Sequence, residues 1–319
     1  MIMIRTNELK KKYGQFTAVD GISLNIERGE IYGFLGPNGA GKTSTIMMLL
    51  GISEPSEGEI FLFGERFSPR RFDLKKKIGV VPEKHPTGVW KWMTAHEYLQ
   101  FFADQFRVDK AEERIQELLG RVHLEEVRNK RFHTFSRGML QKLSIIRALL
   151  HEPDILFFDE PISGLDPIGI KQVRDLIEEE NRAGRTIFIS SHLLSEIEKV
   201  CGRVGIISRG KLVAEDRMSS LLTSLNRNRE IIIELEEIPL DLTESLRSLE
   251  FVIDAEIQNN ILHISVEKEG DHRKALSEFL FKRKLIPLRI DEKVLSLEDA
   301  FVTITSENVD MIASIGGRT

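Results

Sequence analysis

The chain has 319 residues, 41% of them apolar and 30% charged, with a net charge of −5. That is enough for one large or two ordinary domains with a sizeable core. No basic stripe marks a nucleic-acid partner, and no run reaches the roughly 18 apolar residues a membrane span requires. The single cysteine, Cys201, excludes an internal disulfide and a cysteine-rich zinc site, as in a reducing cytosol.

The N-terminus, "MIMIRTNELKKKYG", carries charges where a secretory signal would be apolar, so none is expected. Over the first 215 or so residues, strand-like and helix-like patterns alternate as in an α/β domain. "GEIYGFLG" (29–36) reads as a strand buried on both faces. It runs into Gly36-Pro37-Asn38-Gly39-Ala40-Gly41-Lys42-Thr43, which fits G-x-x-x-x-G-K-[ST] between a strand and a helix ending at Gly51. Glycines let backbone N–H groups wrap phosphates. Lys42 brings a point charge to the β and γ phosphates, and the Thr43 hydroxyl suits Mg²⁺.

From about 84 to 150 helical spacing dominates, which predicts a helical subdomain inserted into the sheet. Thr94-Ala95-His96-Glu97 matches a capping box, and Ala95, Leu99, Phe102 and Phe106 follow helix spacing behind it. "GVWKWMTAHEYLQFF" (88–102) is crowded with aromatics, and Trp90 and Trp92, ahead of the helix, are candidates for a partner surface. "HTFSRGMLQKLS" (133–144) sets a Ser-x-Gly before an apolar helix whose packing positions are Met139, Leu143, Ile146 and Leu150. A helix start of this kind can hold an anion on its unpaired N–H groups.

"DILFFDE" (154–160) is a second buried strand. Asp159 at its end can hold Mg²⁺ and Glu160 can orient or deprotonate a water. "RTIFISSH" (185–192) and "RVGIISRG" (203–210) complete the strand series. By themselves these features describe a phosphate-loop ATPase, GTPase or kinase; no N-K-x-D guanine-reading stretch is found.

A polar break, "NRNRE" (226–230), precedes a strand-helix-strand-strand-helix-strand order: a strand at "EIIIELEE", a helix near 242–249, strands at 251–257 and 260–267, a helix near 272–284 and a strand at 285–291. Leu262, Ile264 and Val266 share one face of the 260–267 strand. That order is ferredoxin-like. A short helix at 296–304 and a loosely held tail are expected to follow.

The motifs "GPNGAGKTS", "FSRGM", "LFFDEP", "SGLD" and "SSH", in this order and spacing, resemble the ATP-binding subunit of an ABC transporter over about residues 1–215. "SLEDAFVTIT" (296–305) is similar to the C-terminal extension of an exporter-type subgroup that includes drug-efflux ATPases. The resemblance implies an α/β phosphate-loop ATPase domain over 1–218, a linker over 219–229, an α+β accessory domain over 230–305 and a tail over 306–319. It implies that Tyr13 stacks on adenine, that Gly36 to Ser44 cradle ATP, and that Ser136 and Gly138 grip the γ-phosphate of an ATP held by a second chain. Asp166 would cross the dimer seam, and His192 would contact the γ-phosphate and the attacking water, beside Glu160 and Lys42. Glu83, in "VVPEKHPTG", stands where the family usually has Gln and would join Thr43 and Asp159 at Mg²⁺. Arg137 and Met139 depart from the family's Gly and Gln. The implied partners are a second ATPase subunit, pairing head to tail, and separate membrane-spanning permeases at the cytoplasmic face of the membrane. A soluble ABC ATPase acting on DNA or ribosomes is the other reading; this chain lacks the long coiled-coil insertion of the former and the second ATPase domain usual in the latter. A degenerate regulatory module would not need intact Lys42, Asp159, Glu160 and His192.

Overall fold

The computed structural model describes residues 1–84, 89–220, 228–239, 241–258, 261–267 and 270–293. The chain forms two compact units, the first over Met1–Met218 and the second over Ser219–Asn308. The helix expected at 296–304 and the tail lie outside the described residues.

The first unit begins with two long strands, β1 (Ile2–Tyr13) and β2 (Phe16–Glu27), paired antiparallel. With β4 (Glu57–Leu62) and β5 (Glu65–Arg66) they make a sheet in the order β2-β1-β4-β5. A second sheet contains β3 (Ile31–Leu35), β6 (Ile78–Val81), β7 (Ile155–Asp159), β8 (Thr186–Ser191), β9 (Arg203–Ser208) and β10 (Lys211–Arg217). Its order is β10-β9-β3-β8-β7-β6, with only β10 antiparallel to its neighbour. Every residue of β3, β7 and β8 is buried, as expected of strands covered on both faces. Between the sheets, Leu24, Ile26, Phe34, Ile46, Leu62, Phe157 and Phe188 belong to one continuous core.

The topology fixes the site. Strands β3, β8 and β7 are neighbours and parallel, so their carboxyl ends emerge side by side, where open α/β sheets bind ligands. The helix α1 (Lys42–Leu49) follows β3, and α2 (Phe72–Lys75) precedes β6.

Three helices form the inserted subdomain: α3 (Ala95–Phe106), α4 (Ala111–Arg121) and α5 (Arg137–Leu149). The capping box at Thr94 and Glu97 is present in both directions. Trp90 departs from the sequence expectation of a partner surface: its ring packs against Tyr98, Phe101 and Phe102 at centroid distances of 5.1–5.8 Å. It joins the aromatic cluster around the fully buried Tyr98, which Phe132 also meets edge-on at 4.7 Å. Trp92, by contrast, is exposed. On α5, Leu143, Ile146 and Leu150 are buried as expected, but so are Ile145 and Leu149, so the helix is enclosed on more than one face. The helix α6 (Pro167–Arg182) ties α4 to the sheet through Glu180, which is fully buried and pairs with both Arg121 and Arg185. A short α7 (Leu194–Ile197) follows β8.

The second unit contains β11 (Asn228–Leu235), α8 (Leu242–Arg247), β12 (Val252–Gln258), β13 (Ile261–Glu267), α9 (Arg273–Lys282) and β14 (Pro287–Lys293). The antiparallel order β12-β13-β11-β14 is ferredoxin-like. Leu262, Ile264 and Val266 face a core that includes Leu242, Leu246, Leu276 and Leu280. Strand β11 starts inside the stretch expected as linker.

Candidate nucleotide site

A cleft of about 490 Å³ opens at the ends of these strands, in the range typical of ligand pockets. Its lining includes Pro37, Asn38, Gly39, Gly41, Lys42, Thr43 and Ser44 from the loop and helix after β3, with Glu83, Glu160 and His192 from neighbouring strand ends.

The loop is held by its own backbone and by its neighbours. Gly36 N–H donates to Ser191 O at 3.2 Å, Ala40 N–H to Pro37 O at 3.1 Å, and Gly210 N–H to Ala40 O at 2.9 Å. Gly41 precedes α1 with φ of 111°, a left-handed conformation, and a Cβ there would sit 2.4 Å from Ala18 O. Only glycine fits. Because Gly41 has no side chain, α1 begins without a side-chain cap and with no acid in its first turn, leaving its N–H groups and positive dipole end for an anion.

Lys42 is buried, and its Nζ donates to Gly36 O at 2.7 Å and lies 3.3 Å from Glu160 Oε1. The other oxygen, Glu160 Oε2, meets His192 Nδ1 at 2.8 Å. Glu160 therefore bridges the phosphate-loop lysine and the histidine after β8. Its backbone has φ of 49°, with its N–H donating to Ser190 O at 3.1 Å, so the chain turns sharply as it leaves β7. Such left-handed non-glycine residues concentrate at functional sites.

Asp159 lies behind the cleft, 8% exposed, and accepts from Ser190 Oγ at 2.5 Å. Burial pushes its carboxyl above the ordinary aspartate value, Ser190 draws it back, and the charges of Glu160 and Glu83 push it up again. A buried carboxylate crowded by two others is a place where a divalent cation relieves repulsion. Among the described residues, no three His, Cys, Asp or Glu side chains are grouped as a self-sufficient metal site. That donor set suits Mg²⁺, which binds through one or two carboxylates, water and phosphate oxygens rather than an all-protein cage.

The remaining sequence candidates lie elsewhere. Ser136 and Gly138 do not line the cleft. Ser136 caps α5, its Oγ accepting from Met139 N–H at 3.2 Å, and a Cβ at Gly138 would meet only that Oγ, at 4.0 Å. Asp166 caps α6, accepting from Gly169 N–H at 2.7 Å. Tyr13 is absent from the lining; its half-exposed ring lies beneath Lys11 Nζ, 5.1 Å from the centroid. The sequence reading missed Phe16, Ala18 and Ser163, all of which line the cleft. Period-two alternation signals Phe16: it shares a face of β2 with Ala18, whose carbonyl touches Gly41.

Fold and site together define a phosphate-loop nucleotide-binding protein. Residues 19–163 match the family model described as ABC transporter. The chain is 40% identical to the bacitracin transport ATP-binding protein BcrA of Bacillus licheniformis, over 95% of this chain and 97% of that protein. It is 32% identical to the linearmycin resistance ATP-binding protein LnrL of Bacillus subtilis, over 96% and 99%, and 35% identical to the Nod factor export ATP-binding protein I of Paraburkholderia xenovorans, over 96% and 98%. A solved structure of an ATP-binding subunit of an ABC transporter matches with a TM-score of 0.64 at 28% identity, covering 70% of this chain and 92% of that one. This chain belongs to the ABC transporter family as one of its ATP-binding, ATP-hydrolysing subunits. No helix among its described residues is long and apolar enough to cross a membrane, and subunits of this kind work with separate membrane permeases.

Proposed function

We propose that this subunit powers an exporter: two copies close over ATP, and hydrolysis reopens them to drive a separate permease at the cytoplasmic face of the membrane. Export is favoured by relatives named for Nod factor export and linearmycin resistance, which match nearly the whole chain. The accessory unit after residue 218 falls within the stretch over which those relatives match, which supports the same reading.

Within one chain, Lys42 and the free N–H groups at the start of α1 receive the phosphates, with Gly36 to Ser44 shaping the loop. Glu160 is the base that positions and deprotonates the attacking water, and His192 holds the other carboxylate oxygen and faces the γ-phosphate. Thr43, Asp159 and Glu83 would hold Mg²⁺, which neutralises phosphate charge when bound. Asp166 and the SGLD loop lie at the seam, and Tyr13 stays near the base.

One observation carries the dimer. The cleft contains the phosphate loop, Glu160 and His192 but neither Ser136 nor Gly138, which supports a cage completed by a second copy. Glu160→Gln keeps ATP bound while slowing hydrolysis by roughly 100-fold or more, the worth of a general base. Light scattering of that variant with saturating ATP should then give twice the monomer mass. A species that stays monomeric with and without Mg²⁺ sinks the proposal. Export itself is tested by co-expression with the permease and measurement of substrate efflux; accumulation in place of efflux would reverse the direction.

A further inference from the structure

Ser190 is fully buried near the end of β8, just after the apolar run Ile187, Phe188 and Ile189. Its hydroxyl has two partners. Ser190 Oγ donates to Asp159 Oδ1 at 2.5 Å and accepts from Glu160 N–H at 3.2 Å. A hydroxyl has one proton, so the direction is fixed: from the Glu160 backbone, through Oγ, to the Asp159 carboxylate. Burial alone does not demand this arrangement. Ser144 on α5 is also buried, and its Oγ has no partner among the described residues.

Strand register makes the contact. β7 and β8 are parallel neighbours with Asp159 opposite Ser190, so the serine stands beside the acid and next to the turn at Glu160. Ser190 O also accepts from Glu160 N–H, at 3.1 Å, so the turn is held by the serine's backbone as well as by its side chain. The Asp159 carboxylate has no such second hold: Ser190 is its one hydrogen-bond donor among the described residues. The charges of Glu160 and Glu83 crowd that carboxylate and favour swinging it away. The hydroxyl pins Oδ1 against them and leaves Oδ2 clear of protein donors.

We infer that Ser190 is a positioning residue for ATP hydrolysis: its hydroxyl holds the Asp159 carboxylate in register with the Glu160 turn. Metal ligand and base then act from fixed places. This rests on the roles proposed above for Asp159 and Glu160. A hydrogen-bond partner that orients a metal-binding side chain is typically worth roughly 10–100-fold in metal affinity or activity.

The full chain is tested as Ser190→Ala and Ser190→Thr. Ser190→Ala is expected to lower kcat for ATP hydrolysis by roughly 10–100-fold. Its ATP affinity in Mg²⁺-free calorimetry should not change, because Ser190 is absent from the cleft lining. A second readout uses Mn²⁺, followed by electron paramagnetic resonance, in the slowly hydrolysing Glu160→Gln background with ATP bound. There Ser190→Ala should hold the ion about tenfold more weakly, and Ser190→Thr, which keeps the hydroxyl, should hold it as the serine does. A serine that merely packed β8 against β7 would not move the Mn²⁺ affinity. Unchanged Mn²⁺ affinity in Ser190→Ala, kcat within about threefold of the parent, or Mg²⁺-free ATP affinity falling along with kcat overturns the assignment. If Asp159→Asn and Glu160→Gln hydrolyse ATP as fast as the parent, the proposed site itself fails, whatever Ser190→Ala does.

Discussion

Two helices of the first unit begin at anion-type sites, and they begin differently. At α1 the residue before the helix is Gly41, left-handed and without a side chain, so no side chain caps the first-turn donors. At α5 it is Ser136, in extended conformation, whose Oγ already accepts from Met139 N–H. A hydroxyl that accepts one bond keeps its own proton to donate. The bare start is therefore built to wrap phosphate inside its own chain. The capped start is stable alone and still has one donor to offer outward. Under the proposed function the two starts would serve different nucleotides, which is why one sequence would carry both.

The sharpest way to break this contrast is to give α1 a side chain where it has none. Gly41→Ala forces a Cβ onto Ala18 O and an alanine to φ of 111°. The loop must shift, and a displacement of about 1 Å at a reacting site costs on the order of 100-fold. Hydrolysis should fall by that factor, with ATP affinity in calorimetry falling alongside. An active Gly41→Ala chain would mean the loop is not the phosphate cradle. Next in size is Ser136→Ala. Losing the cap costs roughly 1 kcal/mol in a urea melt. Losing one donor to a transition-state phosphate costs a further tenfold or more in hydrolysis. ATP affinity of the isolated chain should not move; if it falls too, Ser136 belongs to its own cleft and the contrast collapses.

How far the sequence led follows the same division. The phosphate loop, Asp159 and Glu160 were legible because a turn that bares N–H groups requires glycine, and a strand end requires little more than an apolar run before its acids. The capping box at Thr94 and the ferredoxin-like order were legible for similarly local reasons. The antiparallel sheet β2-β1-β4-β5 was not, since register shifts between Ile2 and Ile4, and between Thr6 and Leu9, break the alternation of β1. For Phe16 the alternation of β2 was the only signal, because its place in the cleft depends on Ala18 O lying against Gly41, segments 23 residues apart in sequence. The packing of Trp90 is not legible because its neighbours Tyr98 and Phe102 come from a helix that the local pattern does not fold back upon it.

A smaller effect concerns the carboxylate behind the cleft and its response to pH. The folded-state carboxyl of Asp159 is raised, chiefly by burial. Between its ordinary value and the raised one, the folded chain holds a proton that the unfolded chain has released. Its contribution to stability is therefore full below the ordinary aspartate value and is lost as pH rises through the raised one. Asp159→Asn removes that slope. In Mg²⁺-free urea melts the variant should gain roughly 1 kcal/mol at neutral pH, the usual scale when a strained functional group is neutralised, while losing hydrolysis. A variant less stable than the parent across the whole range would show that Ser190 compensates the burial fully.

Arg137 tests whether the capped helix start is tuned for its own stability. It stands at the first position of α5, a cation at the positive end of the dipole, with no acid in the first turn to offset it. Removing it should stabilise the chain by roughly 0.3–1 kcal/mol. Against that stands one contact: its Nη1 lies 2.9 Å from where a Cβ of Gly164 would be, in the SGLD loop. The two terms separate in a double-mutant cycle. Gly164 has φ of 72°, so Gly164→Ala is strained in either background, by about 1–3 kcal/mol. The steric part falls on the far end of a flexible side chain and should yield cheaply, so the coupling between the two substitutions should stay below about 0.5 kcal/mol. A larger coupling would mean that Arg137 holds the SGLD loop in place, and that the capped helix start and the loop proposed for the dimer seam move as one piece.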